Sequence, residues 1–165
     1  MGFRRHMRHL TTTRAVMRRA FTDEVLADIE RAIQAVERQH AGEIRFVIES
    51  ALDPAELRRK LKPRERALQV FGALGVWDTE ANNGVLIYLL IADRDVEIVA
   101  DRGIASRVPP GDWEAICREM EQHFRAGSFR EGSIAGIRRV GELLGRHFPR
   151  GGNSRNELPD QPVLL

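Results

Sequence analysis

Apolar positions along the chain change their spacing several times, and each change marks an element. From Thr22, which can cap a helix carrying Asp23 and Glu24 in its first turn, Leu26, Ile29, Ile33 and Val36 recur at three and four residues. The pattern predicts a helix to about Gln39, ended by Ala41-Gly42. Glu43 to Glu49 then alternates polar and apolar, as a strand with one wet face does. Asp53-Pro54 opens a short helix interrupted at Pro63. Ala67, Val70, Phe71 and Leu74 line a second piece that Gly75 can close. Two apolar runs follow, Val85–Ala92 and Val96–Ala100, bounded by Asn83-Gly84 and Asp101-Arg102-Gly103. They read as a β-hairpin with Asp93 and Arg94 at its tip, which sets Leu86 opposite Asp101 and Gly84 opposite Gly103. Asp112 can cap a helix with Trp113, Ile116, Met120 and Phe124 on one face. Gly127-Ser128 breaks the pattern, and Ile134, Ile137, Leu144 and Phe148 mark a last helix.

The expected order is therefore α-β-α-β-β-α-α. It describes an α/β chain with a small mixed sheet, a central β-hairpin and helices on both faces. At 165 residues the chain suits one domain. We read residues 1–20 as a basic, loosely ordered and partly helical N-terminal extension, 21–150 as the domain and 151–165 as a surface-lying tail. A hydrophobic share of 42% with 30% charged residues is ordinary for a globular protein. The longest apolar run, Val85–Ala92, is far short of the ~20 residues a membrane-spanning helix needs, and a cytoplasmic location is expected. The single Cys117 excludes an internal disulfide and multi-cysteine metal sites.

Charge is unevenly placed. The first 20 residues hold six of the 26 basic side chains, plus His6 and His9, and none of the 24 acidic ones. Such a head can bind nucleic acid or an anionic surface. The simpler expectation is a solvated extension, with nucleic acid not the expected partner.

Most motifs fail on inspection. Asp93-Arg94-Asp95 has the form of a phosphatase nucleophile loop, but the strand resumes at Val96, so a solvated turn is expected. Read as an EF-hand start, Asp93, Asp95 and Glu97 are followed by Ile98 and Ile104 where Gly and Glu are required. A cysteine phosphatase would need an arginine where His123 stands, and Cys117 reads as a core thiol. His40, His123 and His147 lack metal-ligand spacing and read as surface or helix-terminal residues. There is no phosphate loop ending in Lys and no nucleophile elbow. What remains is the base of the hairpin, where Asp101, Asp78, Glu80 and Asn83 offer the oxygen ligands that calcium or magnesium prefers. Turn geometry alone is the competing explanation of the same residues.

Asn83-Gly84-Val85-Leu86-Ile87-Tyr88 followed by Asp101-Arg102-Gly103-Ile104 resembles the core of the TPM domain. Ala41–Arg45, Trp113–Phe124, Phe129–Leu144 and the closing Asn156-Glu157-Leu158-Pro159-Asp160 fit as well, the last resembling a short bacterial branch without membrane segments. The resemblance implies a three-layer α/β/α sandwich. It also implies binding of divalent cations, chiefly calcium and with magnesium as the other candidate, in a regulatory or structural role. It further implies an acid-phosphatase activity known for plant members. By position Asp101 and the Asn83-Gly84 turn match the characteristic loops. Asn82 stands where other members carry a charged residue, and Ala100 where glycine is common. With no nucleophile in view, catalytic residues stay unassigned, and Arg102 is the candidate anion contact if phosphate is handled. A protein-interaction module that needs no ion is the remaining alternative.

Overall fold

A computed structural model describes residues 3–151 and 155–165; the expectations for residues 1–2 and 152–154 lie outside the described residues. The order is α1 (Phe3–Thr11), α2 (Arg14–Ala20), α3 (Asp23–Glu37), β1 (Glu43–Glu49), α4 (Pro54–Arg58), α5 (Pro63–Ala73), β2 (Gly84–Leu90), β3 (Asp95–Ala100), α6 (Arg102–Ala105), α7 (Pro110–Arg125), α8 (Phe129–His147) and β4 (Val163–Leu164). The sheet runs β3-β2-β1-β4, with β1 parallel to β2 and β4, and β2 antiparallel to β3.

Strand alternation divides the core in two. Ile44, Phe46, Ile48, Val85, Ile87, Leu89, Val96 and Ile98 point at one layer, where α3, α7 and α8 supply Ile33, Ile116, Met120, Phe124, Ile137 and Leu144. Val47, Leu86, Tyr88, Leu90 and Val99 point at the other, toward Leu57, Ala67 and Val70 of α4 and α5. The three-layer α/β/α sandwich is thereby the observed arrangement, and no helix among the described residues is long and apolar enough to cross a membrane.

Thr22 and Asp53 cap α3 and α4 as their sequence positions require, Asp53 in a full capping box with Glu56. Asp112 does not cap α7. That helix starts at Pro110, and Asp112 lies in its first turn.

Four further expectations are corrected by the packing of the sheet and the two ends of the chain. All seven residues of β1 are buried, because α4, α5 and the tail cover its second face. Its polar side chains are satisfied there. Glu49 accepts from Arg66 Nη2 (2.8 Å) and from the Tyr88 hydroxyl (2.6 Å), and Arg45 donates to the carbonyls of Pro159 and Gln161. The end of the tail is not loose cover but β4, whose Val163 pairs with Val47. The basic head forms α1 and α2, and its Arg5 and His9 are buried against Asp93. Asp93 is consequently no solvated turn.

Candidate functional site

The hairpin turn decides what meets at the base of the sheet. Ile91–Asp93 form one 3-10 turn that ends on Arg94 at φ 54°, so four residues connect the strands where two were expected. Pairing therefore slips by two positions. Leu86 faces Val99, Val85 faces Ala100, and Asp101 donates its backbone N–H to the Gly84 carbonyl at 2.9 Å. A two-residue slip keeps each side chain on its original face. Asp101 thus stays at the sheet end that the alternation assigned to it, aligned with Gly84 rather than Leu86.

Gly84 also neighbours Glu43 at the start of β1. The start of β1, the start of β2 and the end of β3 therefore form one edge. Asn82 is in the left-handed region at φ 50°, and the Gly103 N–H donates to its carbonyl at 3.1 Å. A Cβ on Gly103 would lie 2.5 Å from that same oxygen, so the two loops meet backbone to backbone.

Asp101 is buried and caps α6, its Oδ1 accepting from the Arg102 N–H at 2.7 Å. Its Oδ2 is buried with no hydrogen-bond partner. Asn83 is buried too, donating its backbone N–H to Thr79 Oγ1 (3.0 Å) and its side-chain amide to the Ala41 carbonyl. Its Oδ1 likewise lacks a donor. Asp78, Glu80 and Arg102 are exposed. Among the described residues, no three His, Cys, Asp or Glu side chains are gathered so as to hold a metal ion. The structure brings Asn83 and Asp101 to one sheet end and leaves Asp78 and Glu80 on the loop before it.

Next to this edge is a cavity of about 270 Å³, lined in part by Glu37, His40, Glu43, Arg150, Arg155 and Asp160. None of these was a candidate from the sequence. His40, read as a surface residue, is only 1% exposed. Its Nδ1 accepts from the Gly42 N–H at 3.1 Å, so Nε2 carries the proton, and Nε2 has no partner. Burial holds the His40 pKa down to about 4. Glu37 is pushed up to about 9, first by burial and then by the carboxylates of Glu43 and Asp160. Glu43 is raised too, first by burial and then by the carboxylates of Glu157 and Asp160, although the Glu157 and Leu158 N–H groups donate to it. The one available signal was the closing Asn156–Asp160 motif, whose place in space the chain order does not reveal.

Glu37 sets a pH prediction. A carboxyl whose folded pKa lies above its unfolded value contributes stability in full below the unfolded value, near 4.5, and loses it as pH rises toward about 9. Glu37→Gln keeps an oxygen for the Ile44 N–H, which Glu37 Oε1 accepts at 2.7 Å. The variant should match wild type near pH 4 and exceed it increasingly as pH rises, by at least about 1 kcal/mol at pH 8 in thermal melts. Parallel pH profiles for the two proteins would overturn the assignment.

The sequence profile of the TPM domain matches residues 17–143. The chain belongs to the TPM domain family. The BA42 protein of the psychrophilic bacterium Bizionia argentinensis, solved by NMR, is 30% identical, with a TM-score of 0.77 over 87% of this chain and 94% of that one. An N-terminal domain from P. gingivalis is 24% identical, with a TM-score of 0.59 over 74% and 76% of the two chains. An N-terminal domain from Corynebacterium glutamicum is 17% identical, with a TM-score of 0.57 over 81% and 79%. These last two are alike in fold alone. No curated protein matches this TPM domain.

Proposed function

We propose that this TPM domain binds a divalent cation, chiefly calcium, at the Asn83–Asp101 end of its sheet, in a regulatory or structural role. The observation that supports this reading is the pair of buried side-chain oxygens, Asn83 Oδ1 and Asp101 Oδ2, that have no hydrogen-bond donor. A buried acceptor without a donor costs about 1–3 kcal/mol, and a cation offers what the protein does not. A carboxylate and an amide oxygen are hard ligands of the kind calcium takes in sets of six to eight. Asp78 and Glu80, exposed on the loop before Asn83, would supply further carboxylates, and water the remainder.

Thermal unfolding of the full chain in EDTA, then in millimolar calcium or magnesium, tests this. An ion at ~100 times its dissociation constant adds about 2.7 kcal/mol, which is several degrees of melting temperature at this size. Asp101→Asn is the informative variant, because Asn caps a helix as well as Asp does while the charge is lost. It should melt close to wild type in EDTA and show no calcium shift. A wild type that ignores both ions would refute the proposal and leave the protein-interaction reading.

A further inference from the structure

Amphipathic helices on a globular domain ordinarily turn their apolar side inward. Helix α1 does the reverse. Arg5 and His9, one turn apart, are buried on the body, where both hydrogen-bond Asp93. Phe3, Met7 and Leu10 fall within about 60° of arc on the opposite side, and they are 79%, 42% and 65% exposed. A single exposed apolar residue is ordinary; three on one helix face form a stripe.

Basic groups share these two helices with the stripe. Arg4, Arg8, Arg14, Arg18 and Arg19 are all exposed on α1 and α2, and residues 1–20 contain no acid. Among the described residues Arg4, Arg14 and Arg19 make no ion pair, whereas Arg8 reaches Asp93 and Arg18 reaches Asp23. Between these helices and the body is a cavity of about 350 Å³ whose lining includes Val16, Ile91, Phe124 and Phe129 together with Arg8 and Arg94. It repeats the same pairing of apolar surface with guanidinium groups. The helix lies outside the residues that the TPM profile matches.

We propose that α1 and α2 form a docking face for an anionic phospholipid bilayer. The basic residues meet lipid phosphates and carboxylates, while Phe3, Met7 and Leu10 enter the boundary between headgroups and acyl chains, as interfacial helices do. Charge argues against a second copy of the chain as occupant, since self-association would set arginines against arginines. A nucleic acid would match the charge but leave the aliphatic part of the stripe without a partner.

Co-sedimentation of the full chain with vesicles is the test. The protein should pellet with phosphatidylcholine vesicles containing about 30% phosphatidylserine in ~0.1 M salt, and not with phosphatidylcholine alone. Salt at about 1 M, where the screening length falls to ~3 Å, should release it. Phe3→Ser/Leu10→Ser changes only exposed side chains, so its melting curve should be that of wild type while its partition coefficient falls at least about tenfold. Arg14→Glu/Arg19→Glu should weaken binding to anionic vesicles similarly. The proposal is overturned if the wild type stays in the supernatant, or if Phe3→Ser/Leu10→Ser pellets as well as wild type. It is equally overturned if wild type without vesicles is a dimer that this variant converts to monomer, or if only a soluble polyanion binds.

Discussion

Gly84→Ala should cost more than ~3 kcal/mol and leave much of the protein insoluble, the largest effect expected of any glycine-to-alanine change among the described residues. A Cβ at residue 84 would lie 2.0 Å from the Val76 carbonyl oxygen and 3.0 Å from its carbon. Overpacking of ~1–3 kcal/mol is usual where a side chain can shift. Here the obstacle is backbone, and Val76 is itself buried and held by the Phe71 carbonyl at 3.1 Å. The displacement has nowhere to go but into β2, whose first residue pairs with Glu43 and accepts from Asp101. Gly72→Ala is the matched control. It sits inside α5 with nothing within 4 Å of its Cβ position, so it should raise stability by about 0.5–1 kcal/mol. Urea titration of both variants decides the matter. A Gly84→Ala protein within ~1 kcal/mol of wild type would mean that the β2 start yields far more readily than its packing implies.

That pair of glycines also shows what local sequence reports and what it does not. The sequence marks Gly84 as part of a turn but not as the more constrained of the two, because the Val76 carbonyl that crowds it is brought back by the folding of the connection between α5 and β2. Element order and type were legible because spacing, caps and turn residues act within a few positions, as with Thr22 and Asp53. The hairpin register was not, since it depends on a 3-10 turn ending in a left-handed Arg94, and arginine carries no signal for that conformation. Arg45 and Glu49 read as the wet side of a strand because their polarity is visible locally. Their partners, Pro159 and Gln161 for one and Arg66 and Tyr88 for the other, are 17 to 116 residues away.

The candidate site divides along the same line. Asp101 and Asn83 were found because a hairpin brings its own two ends together. Glu37, His40, Glu43 and Asp160 escaped notice because a helix end, a strand start and the returning tail assemble them. β4 was missed for a simpler reason: two residues cannot display a period.

Asp93→Ala should destabilise the protein by about 3–5 kcal/mol, the range for removing one partner of a buried ion pair. Arg5 donates to both carboxylate oxygens, Nε to Oδ1 at 3.1 Å and Nη2 to Oδ2 at 2.7 Å, with the two side chains only 8% and 9% exposed. His9 adds a hydrogen bond at 3.1 Å, its ring fixed in the tautomer with the proton on Nε2 because Nδ1 accepts from the Leu52 N–H. Burial alone would raise the Asp93 carboxyl, yet hydrogen bonds from His9 and Arg5 hold it well below the usual range. Its contribution is therefore present above the ordinary carboxylate pKa and lost as pH falls beneath it. In Asp93→Ala the Arg5 charge keeps only the Leu61 carbonyl, at 2.8 Å. The chain can escape that cost by releasing α1, and this caps the global loss. Release uncovers Arg5 and unfolds the backbone beside Arg4 and Arg8 for trypsin, so limited proteolysis and calorimetry should be read together. Either a lower melting temperature or rapid cleavage before residue 20 is expected, and neither would show the contact to be dispensable. Arg5→Met/Asp93→Asn removes the buried charges while leaving His9 an acceptor, and should recover more than half of the loss. That recovery would separate the penalty of an unpaired guanidinium from the worth of the pair itself.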